Sequence, residues 1–255
     1  MTAAISLECI AQRPGADAAV VFAHGLDGDA VATWGAFPAR LAAEIPSAEV
    51  FTLSWPAALA KFTAEAAHTI PAIATPLAGV LMRSLSGYAR VHLVLHCLGA
   101  PAVIAALHRA AGNGFTCPLL TCTLIDAPLL APDATAPAWL APAMKLMGLE
   151  PEMLIVQTRW LDEICAAPCQ VLRGADAKWI DHCAPFALSD EANHHHVPLD
   201  HTALAAAPVE GPFAPLSLLL TYFARPIPMP SGARTPGKFP DLNSHEFTNV
   251  TPHRI

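Results

Sequence analysis

The stretch Val91-His92-Leu93-Val94-Leu95-His96-Cys97-Leu98-Gly99-Ala100-Pro101-Ala102-Val103-Ile104 constrains this chain more than any other. A mainly apolar run leads into a cysteine, and a small-residue turn then opens an alanine-rich apolar segment. The first part suits a strand buried on both faces of a sheet, and the second a packed helix. A strand that turns sharply into a helix holds its corner side chain at the strand end, where a nucleophile can be presented. Such a corner implies a parallel sheet around it, with other loops converging on the same edge.

The rest of the chain has that rhythm. Ile5 to Gln12 reads as a first edge strand, a hairpin partner ending at Arg13-Pro14-Gly15. Ala18 to Ala23 is an uninterrupted apolar run that stops at His24-Gly25-Leu26-Asp27-Gly28-Asp29. A helix is expected over Trp34 to Glu44, and a strand over Glu49 to Ser54. A mostly helical stretch follows from about Ala58 to Ser86, with Pro71 and Pro76 expected to break or kink it. After the corner, a helix should run to about Ala111, where Gly112-Asn113-Gly114 stops it. Leu119 to Ile125 reads as a further strand, and the regular rhythm resumes with Gln170 to Asp176. His194 to His201 reads as a loop, and Ala203 to Ala207 and Leu216 to Phe223 as helix. Alternation of this kind predicts a mostly parallel central sheet with helices on both faces. The expected organisation is one α/β domain over 1–224, interrupted by a proline-rich insertion at about 128–167. An irregular, proline-rich tail follows over 225–255.

Composition sets the outer bounds. In 255 residues, 54% are hydrophobic and 14% charged, enough to fill a large core and to exclude disorder of the body. A net charge of −7 gives no reason to expect nucleic acid or an anionic membrane as partner. The odd count of 7 irregularly spaced cysteines fits free thiols in a reducing compartment, so a cytoplasmic location is expected. The opening Met1 to Glu8 lacks a basic segment followed by an apolar one, so no signal peptide is expected. No charge-free apolar window spans a membrane, so no stable membrane insertion is expected.

Several side chains at strand ends carry chemistry. Cys97 is the nucleophile candidate, and His201 the base that takes its proton, with His196 in reserve. Asp176 follows one strand and is the leading carboxylate to orient the base, with Asp126 and Asp181 as rivals. Asp200 is poorly placed to orient its own neighbour. His24 reads as part of a turn, and His92 and His96 as packing around the corner. Cys9, Cys117, Cys122, Cys165, Cys169 and Cys183 read as core or surface thiols. Neither Cys165 with Cys169 nor the run His194-His195-His196 has a matching ligand set, so no metal is expected, and chemistry of the triad type needs no organic cofactor.

Val21-Phe22-Ala23-His24-Gly25-Leu26-Asp27-Gly28 with Thr33-Trp34 resembles the oxyanion turn of α/β-hydrolases, in the style of lipase-like serine esterases. The likeness continues through His96-Cys97-Leu98-Gly99-Ala100, where these proteins have a Gly-x-Ser-x-Gly nucleophile elbow, and through Pro198-Leu199-Asp200-His201-Thr202-Ala203. It covers roughly 18 to 224, and the insertion takes the place of that fold's lid. The resemblance implies an α/β-hydrolase fold, Cys97 as nucleophile, His201 as general base and Asp176 as acid. It also implies the backbone amides of Leu26 and Leu98 as oxyanion donors.

Two departures stand out: Leu95 replaces the first glycine of the elbow, and Cys97 replaces serine. A few α/β-hydrolases, such as the dienelactone hydrolases, use cysteine. Thiolates favour lactones, thioesters and activated esters. The implied activity is hydrolysis of a small, hydrophobic ester or related acyl compound through a covalent acyl-enzyme. The alternatives are a catalytically silent fold used for binding, or a serine esterase altered at position 97. Trp139, Leu140, Met144, Leu146 and Met147 in the insertion either line an acyl pocket or simply pack. The oligomeric state is left open.

Overall fold

A computed structural model describes residues 5–58, 69–114, 120–128, 141–149, 153–154, 160–161, 169–176 and 193–224. Its strands are β1 (Ser6–Ala11), β2 (Ala18–Ala23), β3 (Ala48–Ser54), β4 (Arg90–His96), β5 (Leu120–Ile125), β6 (Cys169–Arg173) and β7 (His194–His196). The helices are α1 (Phe37–Glu44), α2 (Ile70–Leu85), α3 (Gly99–Gly112), α4 (Ala141–Leu146) and α5 (Ala214–Phe223). The strands form one sheet in the order β1-β3-β2-β4-β5-β6-β7. Only β1 is antiparallel to its neighbour; the other described pairings are parallel. The expected fold class is therefore the observed one.

The topology positions the site. From β2 the chain steps outward to β3 and then returns to β4 on the other side of β2. Connections that leave two adjacent strands in opposite directions open a crevice at their C-terminal ends. The loop His24–Gly28 and the corner at Cys97 flank that crevice.

The period-2 alternation of β2 and β4 divides the core. Val21, Ala23, Leu93 and Leu95 pack with α2 and α3, whereas Val20, Phe22 and Val94 pack with α1 and α5. Leu95, where a glycine is usual, is fully buried in the first cluster. The small residues are needed elsewhere. A Cβ on Gly99 would lie 2.5 Å from the Ala23 carbonyl oxygen, and one on Gly25 would lie 2.5 Å from Cys97 Cβ.

Four local expectations are corrected. β1 is an edge strand, but it pairs with β3 rather than forming a hairpin with β2. Pro71 falls in the first turn of α2, where its missing N–H costs nothing, and Pro76 sits inside the helix without ending it. His194–His196 is a short strand, since its backbone pairs with Val171–Arg173 although its side chains show no apolar alternation. Residues 201–205 form turns, not helix. Ala207 is drawn away to Trp34 and Ala36, donating 3.1 Å to the Trp34 carbonyl and accepting at 3.0 Å from the Ala36 N–H.

Within the expected insertion, Met144, Met147, Leu149, Leu154, Trp160 and Leu161 are buried in the core shared with α2 and α3. Leu146 is exposed. The Met147 carbonyl accepts the N–H of Ile70 at 2.9 Å, so this piece holds the first turn of α2. Trp139, Leu140, Asp181 and the tail from 225 lie outside the described residues. Among the described residues, no helix is long and apolar enough to cross a membrane.

Candidate active site

The described chain has three non-glycine residues with left-handed backbone: Asp27 (φ 53°), Cys97 (φ 51°) and Asp126 (φ 44°). They follow β2, β4 and β5 in turn. Each such conformation costs on the order of 1–3 kcal/mol and persists only where the surroundings impose it. A backbone hydrogen bond from the residue's own N–H accompanies each. The N–H of Asp27 is held by the Ala57 carbonyl at 2.9 Å, that of Cys97 by Ile125 at 3.0 Å, and that of Asp126 by Leu172 at 3.0 Å. The last two bonds continue the sheet ladder one residue past the strand, so the next residue must turn upward at the sheet edge.

Cys97 is half-buried at its corner, and its side chain hydrogen-bonds His201. The His201 ring donates from Nδ1 to Asp126 Oδ2 at 2.9 Å. Asp126 is completely buried, and its other oxygen accepts the N–H of Gly174 at 2.9 Å. Burial of the His201 ring pulls its pKa down. The hydrogen bonds to Asp126 and Cys97 and their charges outweigh that, and the net is a rise to about 10.

Asp176 does not occupy the expected position. It is exposed, and its Oδ1 accepts the backbone N–H of His201 at 3.1 Å, while the ring is bonded to Asp126. Two carboxylates therefore bracket one histidine, one on its backbone and the other on its imidazole. Asp200 accepts from Ala203 N at 2.7 Å and so shapes the turn. His196 is exposed on β7 and lines an apolar groove with Val197, Phe213 and Leu218. Asp126 had one legible signal, its place at the end of an apolar strand, but Asp176 shares it.

The upstream turn is tightly held. Trp55 Nε1 donates to the His24 carbonyl at 3.0 Å, and its ring stacks on that of His24 with centroids 5.6 Å apart. Burial lowers the His24 pKa. Gly25 lies against Cys97, and Leu98 is the N-cap residue of α3. Among the described residues, neither the Leu26 nor the Leu98 amide has a hydrogen-bond acceptor.

Beneath the site, His96 is buried, with its Nε2–H donating to the His201 carbonyl at 3.1 Å. Burial, followed by the charge on His201, pushes its pKa down to about 3. Among the described residues, no group of three His, Cys, Asp or Glu side chains is placed to hold a metal ion.

No family profile matches the chain, and no curated protein matches it at the level of sequence. Solved structures do match in shape. A putative hydrolase from Agrobacterium vitis S4 is 11% identical with a TM-score of 0.52, over 88% of this chain and 98% of that one. The esterase RhEst1 from Rhodococcus sp. ECU1013 is 13% identical with a TM-score of 0.51, over 87% and 95%. At these identities the likeness is one of fold.

Proposed function

The chain has the α/β-hydrolase fold, and on it we propose an acyl hydrolase whose nucleophile is the thiol of Cys97. One observation carries the reading: the strained corner at Cys97 faces a histidine whose ring bonds both that side chain and a buried carboxylate. His201 Nε2 holds the proton that the thiol gives up, and sulfur attacks the substrate carbonyl. Asp126, rather than Asp176, holds Nδ1–H and balances the imidazolium. The amides of Leu26 and Leu98 stabilise the oxyanion. Collapse of the tetrahedral adduct, with the proton returned from His201 to the leaving group, gives a thioester on Cys97. A water deprotonated by His201 then attacks that thioester, releasing the acid and restoring the thiol.

The surroundings of Cys97 support a substrate class. Cys97 packs against the apolar cluster on the α2 and α3 side of the sheet, which supports a hydrophobic acyl group. A thiol nucleophile favours lactones, thioesters and activated esters.

The test pairs iodoacetamide labelling at neutral pH with turnover of a chromogenic short-chain ester. Cys9 is the internal control, since it is exposed on β1 and its thiol is pushed up by desolvation and then by Glu49. Cys97 should be alkylated well ahead of Cys9, with turnover lost in step. Cys97→Ala should lower turnover by about 10³ or more, as loss of a triad nucleophile does. Slow, unselective labelling without turnover in the parent defeats the reading and leaves a fold used for binding. Strong esterase activity appearing only in Cys97→Ser would mark an altered serine enzyme.

A further inference from the structure

β4 carries two buried histidines on one face, and they differ in a way that packing does not explain. His92 is satisfied on both ring nitrogens by hydroxyls of the next strand, Thr121 and Thr123. Its ring is wedged against Tyr222 and Phe223 of α5. This is a core histidine with a complete set of partners.

His96, four residues on, is just as buried but only half satisfied. Its Nε2–H reaches out of the sheet to the carbonyl of His201 at 3.1 Å. Because a carbonyl only accepts, the proton is on Nε2, and Nδ1 is a bare acceptor. Among the described residues that Nδ1 has no partner. The ring lies edge-on to Trp34 and beneath the ring of His201, with centroids 4.4 Å apart and planes tilted by 35°. A phenylalanine would fill this space without burying an unpaired nitrogen. The histidine is worth its orphan nitrogen only through the bond made by the other one.

We propose that His96 is a positioning residue for His201, its Nε2–H fixing the carbonyl of residue 201 and its ring supporting the imidazole that faces Cys97. Three contacts then define the base: Asp126 on Nδ1, Asp176 on the backbone N–H, and His96 on the carbonyl and the ring face. Without the third, the turn at 201–205 is free to rotate the ring away from the thiol. His96 stays neutral beside the imidazolium, so it supports the ring without repelling its charge.

This assignment rests on the hydrolase reading for its catalytic meaning, though not for its test. His96→Phe keeps the ring and the packing but deletes the donor; His96→Gln deletes the ring but keeps an amide donor near Nε2. Three quantities are measured on each: kcat and KM on the chromogenic ester, the downfield proton resonance of the His201 Nδ1–H, and thermal midpoint. His96→Phe should lower kcat by about tenfold or more with KM within about twofold, the signature of a misaligned reacting group. It should weaken the downfield resonance while keeping the melting temperature, and His96→Gln should recover both signals to a large extent. Full kcat and an unchanged resonance in His96→Phe overturn the assignment. Equal losses in both variants with a lowered melting temperature also overturn it, in favour of a packing role. If the parent has no turnover, the hydrolase reading fails on its own, and the resonance still decides for or against His96.

Discussion

The ends of β5 and β6 each present an aspartate to the same histidine, and the two are used in opposite ways. Asp126 leaves β5 in a left-handed conformation, is fully buried, and has its two oxygens on Gly174 N–H and the His201 ring. Asp176, beyond β6, is exposed and holds only the His201 backbone. A buried carboxylate has few competing waters, so its charge acts on the ring at low effective dielectric; an exposed one is screened. Proximity in sequence to a strand end is thus shared by both, and burial separates them.

The comparison can be broken most directly at Asp126. Asp126→Asn keeps the size and an acceptor for Gly174, but it removes the charge that orients and balances His201. Turnover should fall by about 10³–10⁴, the scale for loss of a triad carboxylate. The same variant carries a pH signature. In the parent, His201 titrates near 10 instead of 6.5, so the protonated ring is favoured by the folded state. The stability it contributes is complete below about pH 6.5 and is lost as pH rises through about 10. Urea midpoints between pH 6 and 10 should therefore decline in the parent and decline less steeply in Asp126→Asn, where the bond and charge of Cys97 remain. An equal decline in both proteins would detach the effect from Asp126.

Gly174 sharpens the contrast between the two strand ends from the side of packing. A Cβ there would meet the Leu199 carbonyl oxygen at 2.9 Å, Asp126 Oδ2 at 3.0 Å and Leu204 Cδ1 at 3.1 Å. Gly174→Ala should destabilise by about 1–3 kcal/mol, the usual range for overpacking, and reduce turnover by displacing Asp126. A melting curve and an ester assay on the one variant check both effects.

Asp176→Asn is the mildest change, because the amide oxygen can still accept the His201 N–H. Turnover within about threefold of the parent, and a stability change below about 1 kcal/mol, are expected for an exposed contact of this kind. If Asp176→Asn abolishes activity while Asp126→Asn does not, Asp176 is the triad carboxylate and Asp126 only supports the backbone.

Much of this arrangement was readable along the chain because it is local. Mainly apolar runs placed β2, β4 and β5 to within a residue or two. The Cys97 corner, its downstream glycine and the loop carrying His201 stood at strand or loop positions marked by neighbouring residues. β7 was not legible, since three histidines become a strand only when Val171–Arg173 lies alongside to pair with them. Nor were the turns at 201–205, whose departure from helix depends on a bridge to Gly35 far upstream.

Local apolar periodicity and turn chemistry by themselves determined the layered sheet and the corner at Cys97. Only the tertiary structure decided which carboxylate meets the imidazole. It also decided that the close approaches are made by Gly25 and Gly99 while Leu95 fits the core, and that His96 reaches His201 while His92 stays within the sheet. The reason is the same in each case. A side chain's type is written at its position, whereas its partner is set by strand register and by what burial leaves within hydrogen-bond reach.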